Sequence, residues 1–324
     1  MPRVLLIGLG RWGREHLRVL LSLGAEVFAA DLRPECLREA ASVLPQDHLA
    51  HDFLPFLSLV DAADVVTPAP EHFWICRQAL EAEKDVFVEK PITSTLKEAR
   101  DLSLRALDSR ARLQVGHVFR FHPVHEALKA TLTSGRIGRP RYLAARFAGL
   151  KRPRPDGGVT QSDAIHFFDL FVDLLGRPRA VTATLRDFLG RGMDDFSLVT
   201  AEYDRELAVM ESGYFTPGTW RELQVVGETG ACVADFSRWT LALHPGHHRE
   251  VRGRWQVESA PEEIQTIDRE EPLRRELSAF LRGIETREPP VVSAEAGYQA
   301  LALVEAAQLS STLGRRVLLE EVDR

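Results

Sequence analysis

Val4-Leu5-Leu6-Ile7-Gly8-Leu9-Gly10-Arg11-Trp12-Gly13 is the stretch that decides the fold. Val4 to Ile7 is an unbroken apolar run, the pattern of a strand buried on both faces of a parallel sheet. The next six residues spell G-x-G-x-x-G, after which Leu17, Leu20, Leu21 and Leu23 mark a helical segment closed by Gly24. In that strand–turn–helix context each glycine has a mechanical role. Gly8 permits the tight turn, Gly10 lets backbone approach a pyrophosphate, and Gly13 lets helix and strand pack closely. Leu9, Arg11 and Trp12 complete the loop at a helix N-terminus, where free N–H groups favour phosphate. Trp12 is bulky for this position and is expected to pack over a dinucleotide or shield its pocket. Asp31 follows Gly13 by 18 residues, at the end of a second apolar run from Val27 to Ala30. A carboxylate there accepts hydrogen bonds from both ribose hydroxyls and repels a 2′-phosphate, so NAD is expected over NADP. Arg33 is near enough to soften that preference.

Working outward, strand and helix patterns alternate as far as a strand from Leu113 to Val118. Such regular alternation predicts right-handed βαβ crossovers and a doubly wound sheet. Near residue 120 the pattern changes. Helical segments fit 124–133 and 163–175, and strand-like stretches then follow one another between residues 179 and 260, several with period-two alternation. Strand after strand predicts an antiparallel sheet. Helices at 273–286 and 294–313 and a short strand at 316–319 close the chain. The expected fold class is therefore α/β, with an N-terminal Rossmann sheet over 1–119. An α+β domain with an open, mainly antiparallel sheet is expected over 120–324, its C-terminal helix able to pack back on the first domain.

Composition limits the function. The 324 residues carry 41 Lys plus Arg against 47 Asp plus Glu, a net charge of −6. That balance is poor for wrapping nucleic acid or resting on an anionic membrane. The three cysteines, Cys36, Cys76 and Cys232, are too scattered for a disulfide framework or a zinc knuckle. No apolar run reaches the roughly 18 residues of a membrane span. A cytoplasmic, reduced protein without a cleaved leader is expected. His244-Pro245-Gly246-His247-His248 has metal-ligand residue types, but its Pro-Gly centre reads as a hairpin turn, and no metal is expected.

Two places carry candidate chemistry. Val86-Phe87-Val88-Glu89-Lys90-Pro91 puts Lys90 just past a buried strand, at the sheet edge where doubly wound folds bind ligands. Pro91 restricts Lys90 to an extended conformation that projects its side chain. Ser162-Asp163-Ala164-Ile165-His166 opens a helix with Ser162 or Asp163 as N-cap, and either side chain lies one turn from the His166 imidazole. An imidazole oriented in this way suits proton transfer with a substrate hydroxyl. Lys151-Arg152-Pro153-Arg154 precedes that helix and reads as a solvated basic loop or as a partner for a substrate anion.

Together these features resemble the glucose–fructose oxidoreductase, inositol dehydrogenase and MocA family of NAD(P)-dependent oxidoreductases. The resemblance runs through G-x-G-x-x-G with His16, Val65-Val66-Thr67-Pro68 with His72, and Glu89-Lys90-Pro91. It continues through Val115-Gly116-His117 with Arg120-Phe121 and Pro123, Gly157-Gly158 before the histidine helix, and Ser310-Ser311 with Gly314-Arg315. The wording is most similar to the sugar-nucleotide 3-dehydrogenase branch. The resemblance implies that Lys90 lies beside nicotinamide and substrate, and that Thr67, Pro68, His72 and Glu89 help shape the cofactor pocket. It implies substrate contacts from Arg120, His122, Lys151, Ser162 and His166, and an oligomer, dimer or tetramer, formed through the second domain's sheet. The family's acid four residues before the histidine is Ser162 here, with Asp163 one residue late. His122 and Phe119 replace the branch's usual Asn and Glu.

The expected activity is hydride transfer between NAD and a ring hydroxyl or ketone of a sugar, sugar nucleotide or polyol, with Lys90, His166 and Asp163 catalytic. The rival readings are an inactive NAD-binding regulator of the same fold and a reductase of imines or enones.

Overall fold

A computed structural model describes residues 1–155 and 157–323. The chain divides into two units, 1–118 with 271–301, and 119–270 with 302–324.

The first unit is built on a six-stranded, wholly parallel sheet. Its strands are β1 (Arg3–Ile7), β2 (Glu26–Ala30), β3 (Leu49–Ala50), β4 (Ala62–Val65), β5 (Asp85–Glu89) and β6 (Leu113–Gly116), in the order β3-β2-β1-β4-β5-β6. Helices α1 (Arg11–Ser22), α2 (Pro34–Ala40), α3 (Ala69–Glu81) and α4 (Leu96–Asp108) make the crossovers. The order reverses at β1 and β4, the switch point at which doubly wound sheets open a crevice. Strands β1, β4 and β5 are buried along nearly their whole length, which is why they read as apolar runs without alternation. Thr95 and Glu98 form a capping box that fixes the start of α4.

Residues 271–301 were grouped by sequence with the second domain, and here they belong to the first. The reason lies in α7 (Pro272–Thr286), whose Leu273, Leu277, Phe280 and Leu281 join the core of Leu17, Leu20 and Val4. Phe280 meets Phe87 of β5 edge-on, with ring centroids 5.6 Å apart.

The second unit carries a large mixed sheet. Its strands are β7 (Pro140–Gly149), β8 (Ala180–Arg186), β9 (Phe196–Glu202), β10 (Leu207–Gly213), β11 (Thr219–Gly227), β12 (Gly230–Asp235), β13 (Thr240–Val251), β14 (Arg254–Ser259), β15 (Glu263–Thr266) and β16 (Val317–Leu318). They run in the order β14-β13-β12-β11-β7-β10-β9-β8-β16, with β15 beside β13. Every neighbour is antiparallel except β7 and β10, which run parallel in the middle of the sheet. Helices α5 (Pro123–Thr133) and α6 (Ile165–Leu175) accompany it, and α8 (Ala294–Leu313) carries the chain across the cut between the units.

Two local expectations are corrected. Pro245-Gly246 is not a hairpin turn but lies inside β13, at the point where that strand stops pairing with β12 and starts pairing with β14. The turn falls at Arg252 and Gly253, both at positive φ. The helix at His166 starts earlier than expected. A π-helical turn, Thr160–Ala164, precedes α6, so Ser162 and Asp163 lie within it and do not cap it. Asp194 supplies the missing cap: its backbone carbonyl accepts from Val159 N–H at 2.8 Å, and its carboxylate accepts from Thr160 N–H at 2.8 Å and Thr160 Oγ1 at 2.7 Å.

Candidate active site

Because all strands of the first sheet are parallel, the loops after β1, β2, β4 and β5 leave the same edge. That edge carries the glycine turn, Asp31, Thr67 and Lys90. Gly8 adopts φ +99°, a left-handed conformation favouring glycine. A Cβ on Gly13 would overlap the Gly8 carbonyl, so strand and helix approach as closely as a missing side chain allows. Helix α1 starts at Gly10 without a side-chain cap and without an acidic residue in its first turn. Such an end is open to an anion. Asp31 is buried, and its carboxylate accepts from Leu9 N–H at 2.7 Å, from Arg33 N–H at 2.8 Å and from the Arg33 guanidinium at 3.1 Å. Burial opposes its charge, but these bonds outweigh it and hold the carboxyl below its ordinary value. Thr67 Oγ1 is buried and has no hydrogen-bond partner among the described residues. A glycine cradle, an uncapped helix end, an acid past β2 and an unsatisfied hydroxyl past β4 fit a dinucleotide.

Around Lys90 the structure adds a network that spans the sheet. His16 of α1 is fully buried, its Nδ1 2.9 Å from Asp64 of β4 and its Nε2 3.3 Å from Glu89 of β5. Burial alone would strip the imidazole of its proton; the two carboxylates outweigh it and raise the pKa to about 10. The imidazolium in turn keeps Glu89 ionised, below the usual range despite burial. Glu89 also accepts from the Trp12 indole at 2.7 Å and from Lys90 N–H at 3.2 Å. The Trp12 indole is thereby tied to the end of β5, and the residue is 39% exposed. His72 is buried between two carbonyls, Pro91 O at 2.9 Å and Thr67 O at 2.8 Å, and so links the loops after β4 and β5. Pro68 and Arg11 are exposed.

In the second unit the π turn sorts the candidates differently from an α-helix. Its i→i+5 bonding spaces the side chains around the turn differently from an α-helix. Asp163 accepts from Lys151 Nζ at 2.6 Å, and Ser162 Oγ lies 3.0 Å from the Tyr214 hydroxyl. His166 is partly buried and stacks on Phe147 at 5.7 Å with 15° between the planes, with Phe119 at 5.1 Å. The π turn therefore groups Lys151, Ser162, Asp163 and His166 around Phe147 and Tyr214.

The other two substrate candidates serve local structure. The Arg120 guanidinium is committed to Asp169 through Nε and Nη2, both at 2.8 Å, and to Asp173 through Nη1 at 2.7 Å. His122 Nδ1 accepts from Val124 N–H at 3.2 Å and caps α5, its ring packed at 4.1 Å against Trp239. Tyr214, Arg191 and Arg221 border the same group and went unnoticed in the sequence. The run LAVMESGYF held a signal for Tyr214, a strand ending in an aromatic. Among the described residues no group of three or more His, Cys, Asp or Glu is placed to hold a metal.

The fold and the loop edge define a dinucleotide-binding oxidoreductase with a separate α/β domain. The family models sharpen this. One, an oxidoreductase family with an NAD-binding Rossmann fold, matches residues 2–117, and that family's C-terminal alpha/beta domain matches 129–319. The chain belongs to the Gfo/Idh/MocA oxidoreductase family. It is 26% identical to an inositol 2-dehydrogenase of Rhizobium meliloti over 96% of this chain and 97% of that one. It is 28% identical to a UDP-N-acetylglucosamine 3-dehydrogenase of Acidithiobacillus ferrooxidans over 91% and 93%. A solved structure of the latter enzyme matches with a TM-score of 0.83 at 25% identity, covering 95% of this chain and 97% of that one. A levoglucosan dehydrogenase solved with NADH and levoglucosan shares the fold, with a TM-score of 0.85 at 19% identity over 98% and 99%. No helix among the described residues is long and apolar enough to cross a membrane.

Proposed function

We propose that this protein is an NAD-dependent dehydrogenase acting on a ring hydroxyl, or the matching ketone, of a sugar, sugar nucleotide or polyol. The observation that carries the reading is the single sheet edge on which the glycine turn, Asp31, Thr67 and Lys90 emerge. The N-terminus of α1 and the Gly8–Gly13 backbone, with Leu9, Arg11 and Trp12, hold the pyrophosphate. Asp31 holds the adenosine ribose, and that carboxylate favours NAD over NADP. Thr67, Pro68, His72 and Glu89 shape the nicotinamide end. The dinucleotide, when bound, supplies the hydride acceptor or donor.

The chain's own groups handle the proton. His166 accepts it from the substrate hydroxyl, and Lys90, as a cation, stabilises the developing alkoxide and shares the relay. Asp163 fixes Lys151 by their hydrogen bond, and Ser162 fixes Tyr214. Names of relatives support sugars and polyols as the substrate class. Replacing Lys90 by Ala is expected to lower turnover about 10²–10⁴-fold while leaving NAD binding, followed by tryptophan fluorescence, nearly unchanged. Turnover at the level of the unsubstituted protein would remove Lys90 from the mechanism.

A further inference from the structure

The parallel pairing of β7 with β10 brings two strand ends to one edge: Gly149 leads to Lys151, and Gly213 leads to Tyr214. Lys151 N–H donates to the Tyr214 carbonyl at 3.2 Å, which holds the two ends together. Register does the rest, because Arg221 of β11 stands directly opposite Phe147 of β7. Its guanidinium carbon lies 3.5 Å from the Phe147 ring centre, and Lys151 Nζ lies 4.7 Å from the same centre and 5.5 Å from that of Tyr214. Arg191, from the loop between β8 and β9, completes the group at 5.9 Å from the Tyr214 ring.

These cations are half-buried and short of acceptors. Among the described residues, Arg221 bonds through Nη1 alone, to the Ala148 and Trp220 carbonyls. Arg191 Nη1 donates to the Arg154 carbonyl, while its Nε and Nη2 are shut off from water with no acceptor among the described residues. Among the described residues, Asp163 bonds to Lys151, and Asp187 accepts from the Arg191 backbone N–H at 3.0 Å. Burial pulls Lys151 below the ordinary lysine range, and Arg221 and Arg154 add to the effect against Asp163. Burial likewise lowers Arg221. Partly desolvated guanidinium groups with unused donors are costly unless an anion meets them, and their planar forks suit carboxylate or phosphate.

We propose that Lys151, Arg191 and Arg221 form a subsite for an anionic group, a carboxylate or a phosphate, carried by the substrate. The subsite shares the Phe147 ring with His166, so it holds the charged end of the molecule whose hydroxyl His166 serves. It rests on the dehydrogenase reading for its link to turnover, though not for binding itself.

Two readouts separate the proposal from that reading. Binding to the NAD-loaded protein is measured calorimetrically for hexuronates, hexose phosphates and UDP-N-acetylglucosamine, each against a neutral counterpart, and turnover is followed on the same set. The expected result is that anionic members bind at least tenfold more tightly than neutral ones. Arg221→Gln and Arg191→Gln are expected to remove that margin, and Arg221→Lys to restore part of it. The KM of the charged substrate is expected to rise tenfold or more while that of its neutral analogue stays put. Carboxylate and phosphate arms tell the two sources apart. Equal binding of neutral and anionic members, no binding of any anionic member, or equal loss for both classes in the Gln variants overturns the subsite. Selective anion binding with no turnover keeps the subsite and overturns the dehydrogenase reading.

Discussion

His16 shows how one buried residue sets the charge state behind a candidate catalytic lysine. It sits in an apolar layer between Asp64 and Glu89, so its proton holds two strand ends, β4 and β5, to α1. Its folded pKa of about 10 stands above the ordinary 6.5, so its contribution to stability is complete below about pH 6.5. That contribution is lost as pH rises through about 10. The melting temperature is therefore expected to fall over this interval, and His16→Gln is expected to flatten the fall; parallel curves would contradict the assignment. Asp31 makes a separate test. It is held by Leu9 N–H and Arg33, and a charged hydrogen-bonding group of this kind is worth about 1.5–3 kcal/mol. Asp31→Ser is expected to weaken NAD about tenfold or more and to narrow the gap to NADP, leaving Arg33 to meet the 2′-phosphate. An unchanged ratio of the two affinities, titrated by fluorescence, would argue against Asp31 as the selecting group.

At the scale of elements, Arg120 ties the turn after β6 to α6 through Asp169, which is fully buried, and Asp173. Removing one member strands a buried carboxylate, at a cost of about 3–5 kcal/mol. Arg120→Ala is thus expected to lower the urea midpoint sharply, with a KM near the original where the variant remains folded. A large KM change at unaltered stability would return Arg120 to the substrate. This is also where the limits of the sequence lie. The βαβ alternation was legible because buried parallel strands are apolar without interruption. Strand β7 was missed though it sits mid-sheet, because its alanines and Arg141 and Arg146 give no strong β signal. Strands β14 and β15 are exposed throughout and leave no buried face to detect. Among site residues, the glycine turn and Lys90 were local patterns. The His16–Asp64 contact and the Arg221–Phe147 pairing join residues far apart in the chain, and only helix-on-strand packing and sheet register, respectively, reveal them.

For the whole molecule, the second sheet leaves apolar side chains at the surface, among them Tyr142, Leu198, Leu207, Trp255, Val257 and Ile264, each at least 41% exposed. Exposed apolar residues of this size on a sheet invite a second copy. Light scattering on the eluting protein is expected to give at least twice the 36.3 kDa of one chain; a single-chain mass at micromolar concentration would count against the sheet as an interface. The proposed activity is hydride transfer from a ring carbon to a nicotinamide. The most direct measurement supplies NAD with sugars and polyols deuterated at each carbinol carbon and reads the mass of the reduced cofactor. The account predicts deuterium on the reduced nicotinamide for at least one substrate, formed about 10²–10⁴-fold more slowly with Lys90→Ala. Tight NAD binding with no reduced cofactor from any member, or reduced cofactor without the label, would contradict it.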